Sequence, residues 1–277
     1  MSAQLLKIIP SQGTSDGAGV KLSRVAMFDE PLTDPFLMLD EFASSNESDY
    51  IAGFPAHPHR GMETLSYLLH GSLEHQDHVG NKGMIHSGGA QWMSAGRGII
   101  HSEMPARELD KLQGFQLWIN LPAEQKMLAP KYRDLESHEI PELHLEGVKV
   151  RAIAGSWQIA GQQLQGPLQD LAAEAGYLDI HLDAGASLTL NTRTDQRVLV
   201  KQYQGVIDTS PQAPEKALLV FSQADELTLS SRNGARMIVL MGTPIKEKIV
   251  HYGPFVMNSH AEIEQAIHDY KSGRFGE

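Results

Sequence analysis

Two histidines stand two residues apart in the stretch Phe54–His75, FPAHPHRGMETLSYLLHGSLEH: His57 and His59, with Pro58 between them. In extended backbone, residues i and i+2 point to the same side, so the two imidazoles can be presented to one point, about 6–7 Å apart along the chain. Pro58 fixes its own φ and pushes His57 toward extended geometry. Neutral imidazole nitrogen is a good ligand for a transition metal. The chain holds 13 histidines, so the pair by itself is a weak signal.

A second segment strengthens it. WMSAGRGIIHSEMP, Trp92–Pro105, carries His101 and Glu103, again two residues apart. Gly96, Arg97 and Gly98 read as a tight turn, and Ile99 and Ile100 lead into a strand. Two such pairs on two strands can close a site of three imidazoles and one carboxylate. With no sulfur donors and with positions left open, the set suits Fe(II), and also admits Mn, Co, Ni, Cu or Zn. A structural zinc would instead fill four positions, often with thiolates.

The elements that must position these side chains read as short strands bounded by Gly, Pro, Asn and Asp, the pattern of barrels or sandwiches. They include VKLSRVAMF, TLSYLLHGSLEH, GFQLWINLP, VKVRAIAG, YLDIHL, SLTLNT, RVLVKQYQGVID, ALLVF, ELTLSS and RMIVLMG. Only the C-terminal SHAEIEQAIHDYKSGRFGE reads as a helix. Ser259 caps it, Glu262 supplies the capping-box carboxylate, Ile263, Ala266 and Ile267 share a face, and Gly273 is placed to stop it. The segment 122–147, richer in charge and proline, reads as a connector with one strand or helical turn.

Pieces on either side of that connector resemble each other. YLLHGSLEH turns at Gly71 as VKQYQGVID turns at Gly205, and FQLWINLP matches MIVLMGTP. The expected organisation is two copies of one β-domain: residues 1–135 bearing the metal, and residues 136–277 ending in a helix near 259–272. Laying Gly71 on Gly205 without gaps puts His57 on Asn191, His59 on Arg193 and Glu63 on Arg197. A guanidinium has no lone pair for a cation, so the second copy is expected to be silent.

Composition narrows the function. The formal charge is −11, from Asp+Glu 34 against Lys+Arg 23, and no two Lys/Arg are adjacent. Nucleic-acid binding needs clustered cations and is not expected. With no cysteine, disulfides, thiolate sites and Cys nucleophiles are excluded. The N-terminus lacks the pattern of a signal peptide, and no window reaches 18 uninterrupted apolar residues, so a cytoplasmic chain without membrane contact is expected. There is no nucleophile elbow and no phosphate loop.

The motif G-x3-H-P-H-x3-E from Gly53 to Glu63, with G-R-G-I-I-H from Gly96 to His101, resembles the two metal motifs of the cupins. DPFLMLDEF, HPHRGMETLSYLLHG, QWMSAGRGIIHSEMP, GFQLWINLP and GPFVMNS narrow the resemblance to the pirins, over nearly the whole chain. The resemblance implies an all-β fold of two cupin-type barrels, a bicupin, with a short C-terminal helix. It implies a metal, generally iron, held in the first barrel by His57, His59, His101 and Glu103.

In the wider cupin pattern Glu63 is itself a ligand, and strand parity permits it; the pirin pattern uses Glu103. His70 departs from the Glu that pirins often carry before this glycine. Pirin-like bacterial proteins imply quercetin 2,3-dioxygenase activity, with a flavonol-like aromatic substrate, O2, and Glu103 taking the substrate hydroxyl proton. The alternative implied is an iron-containing, redox-responsive regulatory protein that binds a transcription factor or a metabolic enzyme. A monomer is expected.

Three further features stay open. His75 and Asp77 share a face and read as a turn-lining pair or as partners of the ligands. Gln116 and Trp118 lie on one face of their strand, with Phe115, Leu117 and Ile119 on the other, and either face can be the inner one. His78, His86, His138, His144, His181, His251, His260 and His268 belong to no motif and read as solvent-facing or capping residues.

Overall fold

The computed structural model describes residues 2–107, 110–209 and 212–277. The strands read from the sequence are present except after Gly205, where residues 206–208 form no strand; the chain divides into two compact units, each built on one seven-stranded and one four-stranded sheet. The strands that matter here pair antiparallel. Among the described residues the chain is mostly β-strand, with one α-helix near its C-terminus. Among the described residues no helix is long and apolar enough to cross a membrane.

One unit comprises Gln12–Asp29, Pro35–Ser137 and Ile245–Glu277; the other comprises Met1–Ser11, Glu30–Asp34 and His138–Pro244. At mid-chain the division falls between Ser137 and His138, and a segment near each end of the chain belongs to the opposite unit from the rest of its half. Strand pairing explains the first of these: Leu5–Ile9 forms the edge of the second unit's large sheet, against Leu218–Phe221. Apolar packing explains the other. Helix His260–Lys271 turns Ile263 and Ala266 onto Val250, Phe255, Met257 and Phe275, all of the first unit. Its start is built as the sequence implies. Ser259 Oγ accepts from the Glu262 amide at 3.3 Å and donates to the Glu262 carboxylate at 2.8 Å. Gly273 follows the helix with φ +75°.

The connector is more structured than its composition suggests. It holds strands Lys131–Leu135 and Glu142–Leu145 with short 3-10 turns at Ala123–Gln125 and Ser137–Glu139.

The internal repeat holds at the level of topology. In the first unit's large sheet, Met62–His70 lies between Ala90–Ser94 and Leu112–Asn120. In the second, Arg197–Gly205 lies between Leu218–Phe221 and Ala235–Gly242. The ungapped alignment does not hold in detail. On Ala186–Asn191 the inward residues are Leu188 and Leu190, while Asn191 is exposed. Arg193 is also exposed, on ion pairs to Glu174 and Asp195. An offset by an odd number of residues turns a strand's faces over. At the matching strand of the second unit leucines face inward, and the arginine of the ungapped alignment lies outside that lining.

Candidate metal centre

The first unit's small sheet runs Phe54–His59, Ile99–Pro105, Ser72–Asp77, Lys82–His86. The strand Ile99–Pro105 is central to the site. His101 is paired with His57 on one side and with Asp77 on the other, and the next inward residue, Glu103, is paired with His75. Gly98, at φ +145°, carries the turn into this strand, and a Cβ there would meet the Phe275 ring at 2.8 Å.

His57, His59 and His101 gather as the spacing implies. One ring nitrogen from each lies within 4.8 Å of the others, the one such group among the described residues. Ring centroids are 4.8 Å apart for His57–His59, 4.4 Å for His57–His101 and 5.0 Å for His59–His101.

Three local facts show that these rings suit a cation. His57 Nδ1 donates to the Pro55 carbonyl at 2.8 Å, so its Nε2 carries the lone pair when the ring is neutral. That Nε2 faces His59 Nε2 at 3.0 Å, close to the roughly 3 Å separation of two ligands at right angles on a metal with bonds of about 2.1 Å. His101 Nε2 is buried with no hydrogen-bond partner. The electrostatics agree. Burial holds His59 and His101 well below the usual imidazole range, and the neighbouring imidazoles push further the same way. Both rings are therefore neutral near pH 7, the form that binds metal.

Glu103 is 3% exposed on the same strand but stands outside the trio. Its oxygens accept from Ser66 Oγ at 3.1 Å and Gln116 Nε2 at 2.7 Å. Glu63 is separated from His57 and His59 by a break. Their strand ends at His59, Gly61 sits at φ +79°, and Glu63 belongs to Met62–His70 in the large sheet. The parity that would put 57, 59, 61 and 63 on one face needs an unbroken strand. His70 lies apart at the surface, paired with Asp110.

A cavity of about 600 Å³ opens beside His57 and His59. Gln116 and Trp118 line it, which settles the face that the sequence leaves open; Phe115, Leu117 and Ile119 are buried on the other side. Trp118 meets His59 edge-on at 5.1 Å. Phe28 stacks on His251 at 4.1 Å and meets Trp118 edge-on at 6.2 Å, forming an aromatic wall. At a polar part of the lining, Arg24 binds Asp40 at 2.8 and 2.7 Å and Asp16 at 2.5 Å. Burial works to raise Asp16, but the Arg24 contacts prevail and hold its carboxyl below the usual range. His251 was not legible as a site residue. The hairpin Val250–Tyr252/Phe255–Met257 carries it, nearly two hundred residues from the histidine pair.

Profiles of two families match the chain: Pirin over residues 19–119, and the Pirin C-terminal cupin domain over residues 177–276. The chain belongs to the pirin family. It is 46% identical over 275 residues to a Vibrio cholerae protein provisionally named a quercetin 2,3-dioxygenase, across 98% of this chain and 97% of the relative. A pirin-like protein of Caulobacter vibrioides is 41% identical, across 98% of both chains. Among solved structures, a quercetin 2,3-dioxygenase from Acinetobacter baumannii superposes with a TM-score of 0.89 at 30% identity, covering 100% of this pirin and 99% of that chain.

Proposed function

We propose that this pirin is a metal-dependent dioxygenase of the quercetin 2,3-dioxygenase type, with Fe(II) held by His57, His59, His101 and Glu103. The convergence of three imidazoles beside an aromatic-walled cavity carries the reading. The names of its relatives support it. When bound, the metal supplies a Lewis-acid and redox centre at which a flavonol and O2 can exchange electrons. Glu103 completes the set two residues after His101. Each carboxylate oxygen has a second lone pair, so the bonds from Ser66 and Gln116 leave it free to ligate.

Gln116 and Ser66 hold the Glu103 carboxylate in place. From there Glu103 takes the proton of the substrate hydroxyl. Phe28, Trp118 and His251 seat the planar rings by stacking and edge contacts.

The test loads the protein with Fe(II) anaerobically, adds a flavonol and then air, and follows flavonol absorbance together with carbon monoxide release. Turnover with carbon monoxide formed is the expected result. Glu103→Gln is expected to keep iron and to lose about 100- to 10,000-fold in turnover, as loss of a general base does. Full iron loading with no turnover rejects the dioxygenase reading.

That outcome would favour a regulatory role, for which one observation speaks. Arg60, next to His59, ties to Asp269 of the C-terminal helix at 2.8 Å and to the Arg97 carbonyl at 2.6 Å, and it covers the Phe275 ring at 4.6 Å. A change at the metal would thus reach a helix at the protein surface, where a transcription factor or metabolic enzyme can read it.

A further inference from the structure

One buried histidine beside the centre has no task in this mechanism. His75 is 1% exposed, its ring centroid 5.1 Å from that of His101 and 4.5 Å from that of Tyr132. Its Nδ1 lies 3.3 Å from His101 Nδ1, and its Nε2 lies 3.5 Å from Asp77 Oδ2. Tyr132 is itself held by Asp134 at 2.6 Å and Gln91 at 3.0 Å, so the His75 ring has a fixed partner on its face.

One assignment of protons satisfies all of these contacts. Asp77 Oδ1 accepts from the amides of Val79 at 3.1 Å and Asn81 at 2.8 Å, and Oδ2 accepts from the Asn81 side chain at 2.7 Å. A carboxylate surrounded by donors is an acceptor, so His75 must present Nε2–H to it. A neutral imidazole has one N–H, which leaves a lone pair on His75 Nδ1. That lone pair receives the Nδ1–H of His101. The remaining nitrogen of His101, Nε2, then carries a lone pair, and it is the atom with no partner in the structure. The reverse tautomers would set a lone pair against the Asp77 carboxylate and a proton on His101 Nε2.

We infer that Asp77 and His75 form a buried relay that holds His101 in its metal-binding tautomer and strengthens its donation to the metal. Both act as positioning residues: neither touches the metal, and both set its affinity and its reduction potential. The inference rests on the reading of His101 as a ligand. It also joins the two roles the sequence leaves open for the pair, since Asp77 lines the turn to Asn81 and faces His75 with the same carboxylate.

The experiment uses the full chain, stripped by chelation and titrated anaerobically with Fe(II). Co(II) titration with visible spectra and a redox titration of the iron-loaded protein accompany it. In Asp77→Asn, Oδ1 still serves the turn amides, but an NH2 group now faces His75 and favours the reversed tautomers. The expected result is a loss of about 10- to 100-fold in Fe(II) affinity, an upward shift of the iron potential and an altered Co(II) spectrum. His75→Gln can still accept from His101 through its Oε1 and is expected to bind Fe(II) more tightly than His75→Leu. A purely structural role would lower the melting temperature of the apo-protein and leave the potential unmoved.

Wild-type affinity and potential in Asp77→Asn would overturn the relay. If that variant does not fold, equal affinity in His75→Gln and His75→Leu would do so. His57→Ala runs alongside. Metal binding indifferent to His57 would reject the centre itself, and the relay with it; binding that depends on His57 but not on Asp77 would reject the relay alone.

Discussion

The two barrels give opposite answers with one scaffold. In the first, the strands Phe54–His59 and Ile99–Pro105 turn His57, His59, His101 and Glu103 inward. In the second, the strands at the same places in chain order, Ala186–Asn191 and Glu226–Ser231, turn Leu188, Leu190, Leu227 and Leu229 inward, none more than 3% exposed. The leucines need only to pack. The imidazoles carry polar atoms into a buried site, where burial pushes two of them toward the neutral form and leaves a His101 nitrogen unmatched. Buried polar atoms without partners cost free energy, so the imidazole lining of the first barrel carries a cost that a bound cation would offset, and the leucine lining of the second does not.

Exchanging the two linings gives the largest expected effects. His101→Leu makes the first interior resemble the second. Metal affinity is expected to fall at least about 100-fold, since each ligand carries a large share of the binding free energy. The apo-protein is expected to melt close to wild type, because leucine removes the orphaned His101 Nε2 and also removes the donor to His75 Nδ1. Isothermal titration and thermal melting check the two halves separately.

The reverse exchange, Leu190→His, sets one imidazole among leucines. It is expected to destabilise the protein by about 2 kcal/mol in urea unfolding and to add no metal site.

A smaller effect comes from pH. The folded-state values of His59 and His101 lie well below the ordinary 6.5, so between those values and 6.5 the unfolded chain binds more protons than the folded one. The stability of the apo-protein is therefore full above about pH 6.5 and falls as the pH is lowered, by up to about 1.4 kcal/mol per unit for each group. His101→Leu is expected to make the slope shallower, and urea midpoints from pH 7.5 to 5 measure it.

Much of this contrast was legible in the sequence because it is local. Alternation gave the strands, Ser259 and Glu262 gave the helix start, and the spacing of His57, His59 and His101 gave the trio. What was not legible depends on backbone breaks or distant pairing. Gly61 ends the parity that would bring in Glu63, and no pattern announces a positive φ there. The leucine lining was hidden because the ungapped repeat alignment lands on the outward Asn191. Phe28 and His251 meet only because the C-terminal hairpin belongs to the first unit. His75 was visible as a partner of Asp77, but its approach to His101 is set by the sheet register, which pairs His101 with Asp77 and Glu103 with His75.

The most direct test of the contrast is a count of metal ions. Anaerobic Fe(II) titration of the stripped chain, read by calorimetry, is predicted to end at one equivalent, with that equivalent absent in a His57→Leu, His59→Leu double variant. Two equivalents in the wild type, or one that survives in the double variant, would contradict the assignment of a single centre to the first barrel.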